Sequence, residues 1–336
     1  MPKRTSAADR TPVRVTIVTL DSHLAGSVAR AQAMLRRELP GLRLSLHAAS
    51  DWAADADALA RCRDDVAEAD ILIVTMLFME EHIEPILPWL RDRAAACDAL
   101  ACGMSAAEVI RLTRLGGLRM DRAEGGALHL LKRLCGTRRR GGHSGARQMA
   151  MLRKMPRILR FIPGRAQDLR AYFLTLQCWL AASDENVAGM VRLLINRYAD
   201  GPRRHLRGTL AVQPPVEHPD VGLYHPRLPG RIGDRADRLP QRADADRGTV
   251  GLLLMRSYVL AGDTAHYDGV IDALEARGLR VIPAFAAGLD SRPAVSRFFM
   301  DDGRPLVDAV VSLTGFSLVG GPAYNDAEAA ETMLAQ

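Results

Sequence analysis

Lysine is nearly absent from this sequence. Lys3, Lys132 and Lys154 are the whole set, and the other 42 of the 45 basic side chains are arginine. A phosphate-binding P-loop needs lysine after glycine and before Ser or Thr, because the ammonium must reach the β and γ phosphates. None of the three lysines has that context, and no G-x-G-x-x-G run occurs. ATP handling by the familiar loops is therefore not expected in this chain. H-E-x-x-H is missing as well. Glu80, Glu81, His82 and Glu84 resemble a metal cluster only superficially, since acids in a first helical turn are ordinary. Gly315-Phe-Ser317-Leu-Val319 fails as a nucleophile elbow, since position 319 is not glycine.

Cysteines are few: Cys62, Cys97, Cys102, Cys135 and Cys178. Their number is odd and no C-x-x-C is present, which argues against zinc and for a reducing compartment. Apolar runs stay under ten residues, too short for a membrane span. The polar start MPKRTSAADRTP, followed by a stretch broken by Arg14 and Thr16, argues against a secretory signal. A cytoplasmic protein is expected, and no basic amphipathic helix points clearly to a membrane surface.

The 336 residues suit about two domains. The formal charge of +6 is carried by arginines among interspersed acids. It reads as compositional bias rather than as a nucleic-acid surface. After a tail (1–12), residues 13–135 alternate strand and helix signals. Strands are expected at Val13–Leu20, Leu42–His47, 70–76 and 98–102, and helices between them, including 55–68 and 79–93. Asp21 and Ser22 offer cap chemistry, and Ser105 with Glu108 makes a capping-box pattern. Short apolar strands separated by helices argue for an α/β fold with a doubly wound parallel sheet.

Residues 136–147 (GTRRRGGHSGAR) read as a flexible basic loop, a solvated one rather than a phosphate site. From 148 to 201 the signal is helical: Leu169, Tyr172, Phe173, Leu176, Trp179 and Leu180 follow one helical stripe, and Ser183 caps a second helix that Gly201-Pro202 stops. Residues 202–247 hold seven of the eighteen prolines and read as a connector with little regular structure. A second α/β unit is expected from 248 to 336, with strands at 250–255, 279–284 and 307–313 and a last helix at 325–336. A helix with no further strand to pack on suggests the N-terminal part of something longer.

In open parallel sheets, ligands sit beyond the carboxyl ends of the strands. Three such ends in the second unit carry polar, aromatic and glycine-rich residues. They are Ser257, Tyr258, His266, Tyr267 and Asp268 after the first strand, Asp290 after the second, and Thr314, Phe316, Gly320 and Gly321 after the third. The ordinary alternative is cap and turn chemistry, with Thr264 as an N-cap and Gly320-Gly321-Pro322 as a turn. In the first unit the corresponding ends are Asp21-Ser22-His23, Thr75 to Glu81 and Gly103 to Ser105. Asp, Ser and His adjacent in sequence do not make a triad, because their side chains diverge.

Several long stretches resemble the large porphyrin-binding polypeptide, the H subunit, of magnesium chelatase: VTIVTLDSHLAG (15–26), HAASDW (47–52), TMLFMEEHI (75–83), QDLRAYFLTLQCWLAASDENVAGMVRLLINRYA (167–199), RSYVLAGDTAHYDGVIDALEARGLRVIPAFAAGLDSRP (256–293) and LTGFSLVGGPAYND (313–326). The resemblance runs in order from about residue 13 to the end. It implies an N-terminal doubly wound, flavodoxin-like head, a helical neck and the first part of a second α/β domain. It also implies ATP-dependent insertion of Mg²⁺ into protoporphyrin IX on the way to (bacterio)chlorophyll, with ATP bound by AAA+ partner subunits, I and D. The family's catalytic carboxylates and histidine are expected beyond these residues, so no catalytic residue or metal ligand is assigned. The ten residues above are then candidates for a cleft or a domain interface. A cobaltochelatase large subunit and a truncated, non-catalytic tetrapyrrole-binding module are the alternatives.

Overall fold

The structure is a computed structural model that describes residues 10–121, 153–240, 246–321 and 324–335. The basic loop expected at 136–147 lies outside these residues, as does most of the tail at 1–12. The chain divides into two compact units, one reaching to Val216 and the other beginning at Glu217.

The first unit holds a six-stranded sheet. Strands β1 (Val13–Thr19), β2 (Leu42–Ala48), β3 (Ile71–Thr75) and β4 (Ala99–Gly103) are parallel, and β5 (Arg114–Leu115) and β6 (Leu118–Arg119) add an antiparallel hairpin. Their order across the sheet is β2-β1-β3-β4-β5-β6. Side chains alternate across the sheet, so each face needs its own cover. Val18, Leu72, Val74, Leu100 and Cys102 share one core with Cys62 and Val66 of the helix Ala56–Glu68 and Leu90 of the helix Leu87–Ala94. On the other face the Cβ position of Gly103 is filled by Leu176, and the Tyr172 hydroxyl donates to the Cys102 carbonyl at 3.0 Å. The helices Arg165–Ala181 and Asp184–Tyr198, expected as a separate neck, therefore belong to this unit.

Local departures have local causes. The helix expected over 79–93 splits into Glu80–Ile83 and Leu87–Ala94, because Pro85 cannot continue a helical ladder. Ser105 does not cap: its hydroxyl donates to the Gly103 carbonyl and accepts from the Leu77 amide. Asp21 and Ser22 do not cap either, since Leu24 takes the N-cap position and Asp21 holds the His23 amide and ring. Ser183 does cap its helix, accepting from the Asn186 amide.

The segment expected as a connector is more ordered than its prolines suggest. Asn186 holds Val216 through both amide groups, and the Arg256 guanidinium donates to the carbonyls of His218 and Pro219. Two strands follow, β7 (Val221–Tyr224) and β8 (Ile232–Gly233). They extend the second sheet. In it β9 (Thr249–Met255), β10 (Arg280–Ala286) and β13 (Ala309–Ser312) are parallel, while β7 runs antiparallel to β10. The order is β13-β9-β10-β7-β8. Two short pairs complete the set: β11 (Met300–Asp301) with β12 (Arg304–Pro305), and β14 (Gly320–Gly321) with β15 (Tyr324–Asn325).

His225, fully buried at the end of β7, gives this unit a pH dependence. Its Nδ1 accepts from the Arg227 amide, so the ring proton sits on Nε2, which donates to Glu275 at 3.1 Å. Burial lowers its pKa below the free value, outweighing the nearby Glu275 carboxylate. Charging the ring would also break the Arg227 bond. With a depressed folded pKa the unfolded chain takes up the proton first. Stability is expected to fall as pH drops below about 6.5, then level off below the folded pKa. Acid titration of the chain and of His225→Gln, followed by tyrosine absorbance, tests this. An unchanged profile in the variant would remove His225 as the cause.

Candidate functional site

The parallel strands β9, β10 and β13 bring their carboxyl ends to one edge of the second sheet. The chain moves from β9 to β10 on one side and then returns past β9 to β13 on the other. The crossover reverses between β9 and β13, the position at which open α/β sheets form a crevice.

Backbone pairing joins two of the three expected loops. Gly320 donates its amide to the Leu289 carbonyl at 2.7 Å, Ser291 donates to Leu318 at 2.9 Å, and Asp290 bridges Val319. Asp290 accepts from the Arg292 amide and from Nε and Nη2 of its guanidinium, closing a turn at the start of the helix Arg292–Phe298. Thr314 makes a second turn: its hydroxyl meets that of Ser312 at 3.0 Å and accepts from the Phe316 amide at 3.2 Å. The Phe316 ring is left exposed. Gly320 has φ 127°, a backbone that other residues rarely adopt.

The loop after β9 splits into two groups. Ser257 and Tyr258 are half-buried in the short helix Arg256–Ala261. His266 is exposed and lies edge-on to Tyr258, with ring centroids 5.6 Å apart. Tyr267 and Asp268 face the other way. Tyr267 is buried among Val250, Leu252, Leu254 and Ile271, and its oxygen accepts from the Met255 amide at 3.1 Å. Burial pushes its pKa up to about 12. Asp268 accepts from the Tyr224 hydroxyl at 2.5 Å, and burial pushes that phenol up to about 12 as well. Thr264 occupies the N-cap position without a capping bond and lies within 3.5 Å of Asp268 and Arg231. The edge thus presents Ser257, Tyr258, His266, Thr314 and Phe316, while Tyr267 and Asp268 brace the helix behind them. Sequence reading missed Tyr224 and Arg231, because their partners are more than thirty positions away.

Beside Arg292 lies a groove of about 400 Å³, lined also by Asp326, Glu328, Ala329, Thr332 and Met333. It holds none of the expected site residues.

In the first unit the strand ends carry little chemistry of their own. The His23 ring meets Asp21. Trp52 and His82 pack edge-on at 6.2 Å, and Nε1 of the one and Nδ1 of the other have no hydrogen-bond partner. No group of three metal-capable side chains occurs among the described residues. The described thiols are free. Burial raises Cys62 to about 12 and Cys97 to about 11, which leaves both inert as nucleophiles.

Comparison with known proteins gives two family matches: Domain of unknown function (DUF3479) over residues 14–173 and CobN/Magnesium Chelatase over residues 176–336. Among curated relatives, the H subunit of the Cereibacter sphaeroides magnesium chelatase is 49% identical over 316 residues, covering 94% of this chain and 26% of the relative. The chloroplastic magnesium-chelatase polypeptide ChlH of Oryza sativa is 31% identical, covering 94% of this chain and 23% of its own length. The aerobic cobaltochelatase polypeptide CobN of a Sinorhizobium species is 32% identical over 81 residues, 24% of this chain. The chain spans about a quarter of the length of the magnesium-chelatase relatives. Among solved structures, the catalytic subunit of cobaltochelatase from Mycobacterium tuberculosis is 16% identical over 90% of this chain and 18% of its own, with a TM-score of 0.39.

Proposed function

We propose that the chain, whose residues 176–336 match the CobN/Magnesium Chelatase family, is the N-terminal part of the porphyrin-binding subunit of a magnesium chelatase. The whole enzyme would insert Mg²⁺ into protoporphyrin IX for (bacterio)chlorophyll synthesis in the cytoplasm. One observation carries the choice of metal. Similarity to the magnesium enzyme extends over 94% of the chain, against 24% for the cobalt enzyme. Mg²⁺ and the porphyrin are substrates. ATP belongs to AAA+ partner subunits, I and D, a division that the missing P-loop supports.

The order β2-β1-β3-β4, with helices on both faces, supports reading the first sheet as doubly wound and flavodoxin-like. In the second unit, the edge bearing Tyr258, His266, Thr314 and Phe316 is the part we assign to the macrocycle. A flat apolar ligand needs aromatic and aliphatic surface with a few polar anchors, and this edge offers both. Reacting carboxylates are assigned to none of these residues.

Fluorescence titration of the 336-residue chain with a water-soluble protoporphyrin analogue tests the assignment. Saturable quenching is expected. His266→Ala should weaken it roughly three- to tenfold, the range of one aromatic contact. Tyr267→Phe, altering a core hydroxyl, should leave it unchanged. A folded chain with no saturable binding would remove the macrocycle from this edge.

A further inference from the structure

Acidic residues are interspersed along the chain with one long exception. From Gly125 to Gln167 there is no Asp or Glu, and eleven Lys or Arg occur. This stretch exceeds the chain's whole net charge of +6, so the remainder is acidic overall. Its described part, residues 153–165, is helical over 153–159. Met155, Pro156 and Leu159 are buried against the first unit. The outward face carries Lys154, Arg157 and Arg160 together with Ile158, Phe161 and Ile162. Phe161 is 83% exposed, more than any other large hydrophobic side chain described, and Ile158 is 59% exposed.

This exposure is built into the fold. The Gln167 side-chain amide donates to the carbonyls of Leu159 at 2.8 Å and Ile162 at 2.6 Å, fixing the turn that carries Phe161. Arg170 donates to the Pro156 carbonyl at 3.1 Å. A tight turn that holds three apolar side chains in water, within a run of sequence that carries cations and no acids, matches a surface with negative headgroups above hydrocarbon.

We propose that residues 153–165 dock the protein on an anionic lipid membrane, with Phe161, Ile158 and Ile162 entering the headgroup–acyl boundary and the basic side chains meeting lipid phosphates. A nucleic acid would satisfy the cations but gain nothing from two isoleucines. An acidic protein would need a pocket for a protruding phenylalanine. A bilayer needs neither adjustment. The segment lies on the membrane and does not cross it: no described helix is long and apolar enough to span.

Flotation of the full chain with vesicles tests this. Binding is expected to an equimolar mixture of phosphatidylcholine and phosphatidylglycerol, and not to phosphatidylcholine alone. Each cation near such a surface is worth roughly fivefold in affinity, so Lys154→Ala with Arg160→Ala should lose roughly thirtyfold. Phe161→Ser, at a side chain that supports no core, should lose roughly tenfold or more with an unchanged circular dichroism spectrum. In Phe161→Trp, the introduced fluorescence should be quenched by brominated acyl chains. Three results would overturn the proposal: equal binding to both vesicles, full binding by Phe161→Ser, or displacement from vesicles by duplex DNA or polyglutamate at concentrations that leave ionic strength unchanged.

Discussion

Replacing Arg203 with alanine is expected to destabilise the unit spanning residues 10–216 by about 3–5 kcal/mol. Arg203 follows the helix Asp184–Tyr198 and reaches beneath the sheet. Its Nη1 lies 3.1 Å from Asp70, which precedes β3, and its Nε and Nη2 lie 3.0 and 3.1 Å from Asp98, which precedes β4. Both carboxylates are only 8% exposed at the side chain, and the arginine 17%. Asp98 also accepts the Asp200 amide at 2.9 Å, and its own amide donates to the Asp70 carbonyl. The planar guanidinium therefore neutralises two buried acids and ties the helical layer to the ends of two neighbouring strands. Without it, the acids are left buried together with no counter-charge. Arg203→Lys should recover only part of the loss, because one ammonium cannot serve both carboxylates in the same fork geometry. Urea denaturation followed by tryptophan fluorescence reads this unit alone, since Trp52, Trp89 and Trp179 all lie within it. A loss for Arg203→Ala below about 1 kcal/mol, the scale of an exposed pair, would show that the cluster is solvated.

In the second unit, Phe299→Ala should cost about 3–5 kcal/mol, the range for deleting a buried aromatic ring. Phe299 is 1% exposed and lies directly on Gly251 in the middle of β9. A Cβ at Gly251 would come within 2.7–2.9 Å of three ring atoms. Gly251→Val is thus expected to cost about 1–3 kcal/mol by overpacking. The two changes should not add, because valine fills part of the space that the ring vacates. Hydrogen exchange of the β9 amides gives the readout, as this unit has no tryptophan. A double variant as unstable as the sum of the singles would mean that the glycine and the ring do not share space.

How far this was legible in the sequence depends on the range of the cause. Strands β1, β2, β3, β4, β9 and β10 follow apolar runs, whose burial needs only hydrophobicity and length. Ser183 caps its helix because its partner amide is three residues away. The same local chemistry misled at Ser105, whose hydroxyl is taken by Leu77, 28 positions earlier. Of the expected cleft, the turns at Asp290 and Thr314 are short-range and follow from residue type. Tyr267 and Asp268 read as candidates for a cleft or a domain interface because they fall in a polar cluster at a strand end, yet their partners lie behind them at Met255 and Tyr224.

Residue pattern and composition alone determined that this chain alternates strands and helices, carries no familiar nucleotide loop and resembles the chelatase family. Those features are properties of local runs and motifs. Tertiary structure alone decided that the helices at 165–198 cover the first sheet, that 221–224 joins the second as a strand, and that His266 faces outward while Tyr267 faces the core. It also decided which apolar residues of 153–165 are buried and which stand in water. Each of these depends on the neighbour that happens to lie opposite, and one-dimensional periodicity does not carry that information.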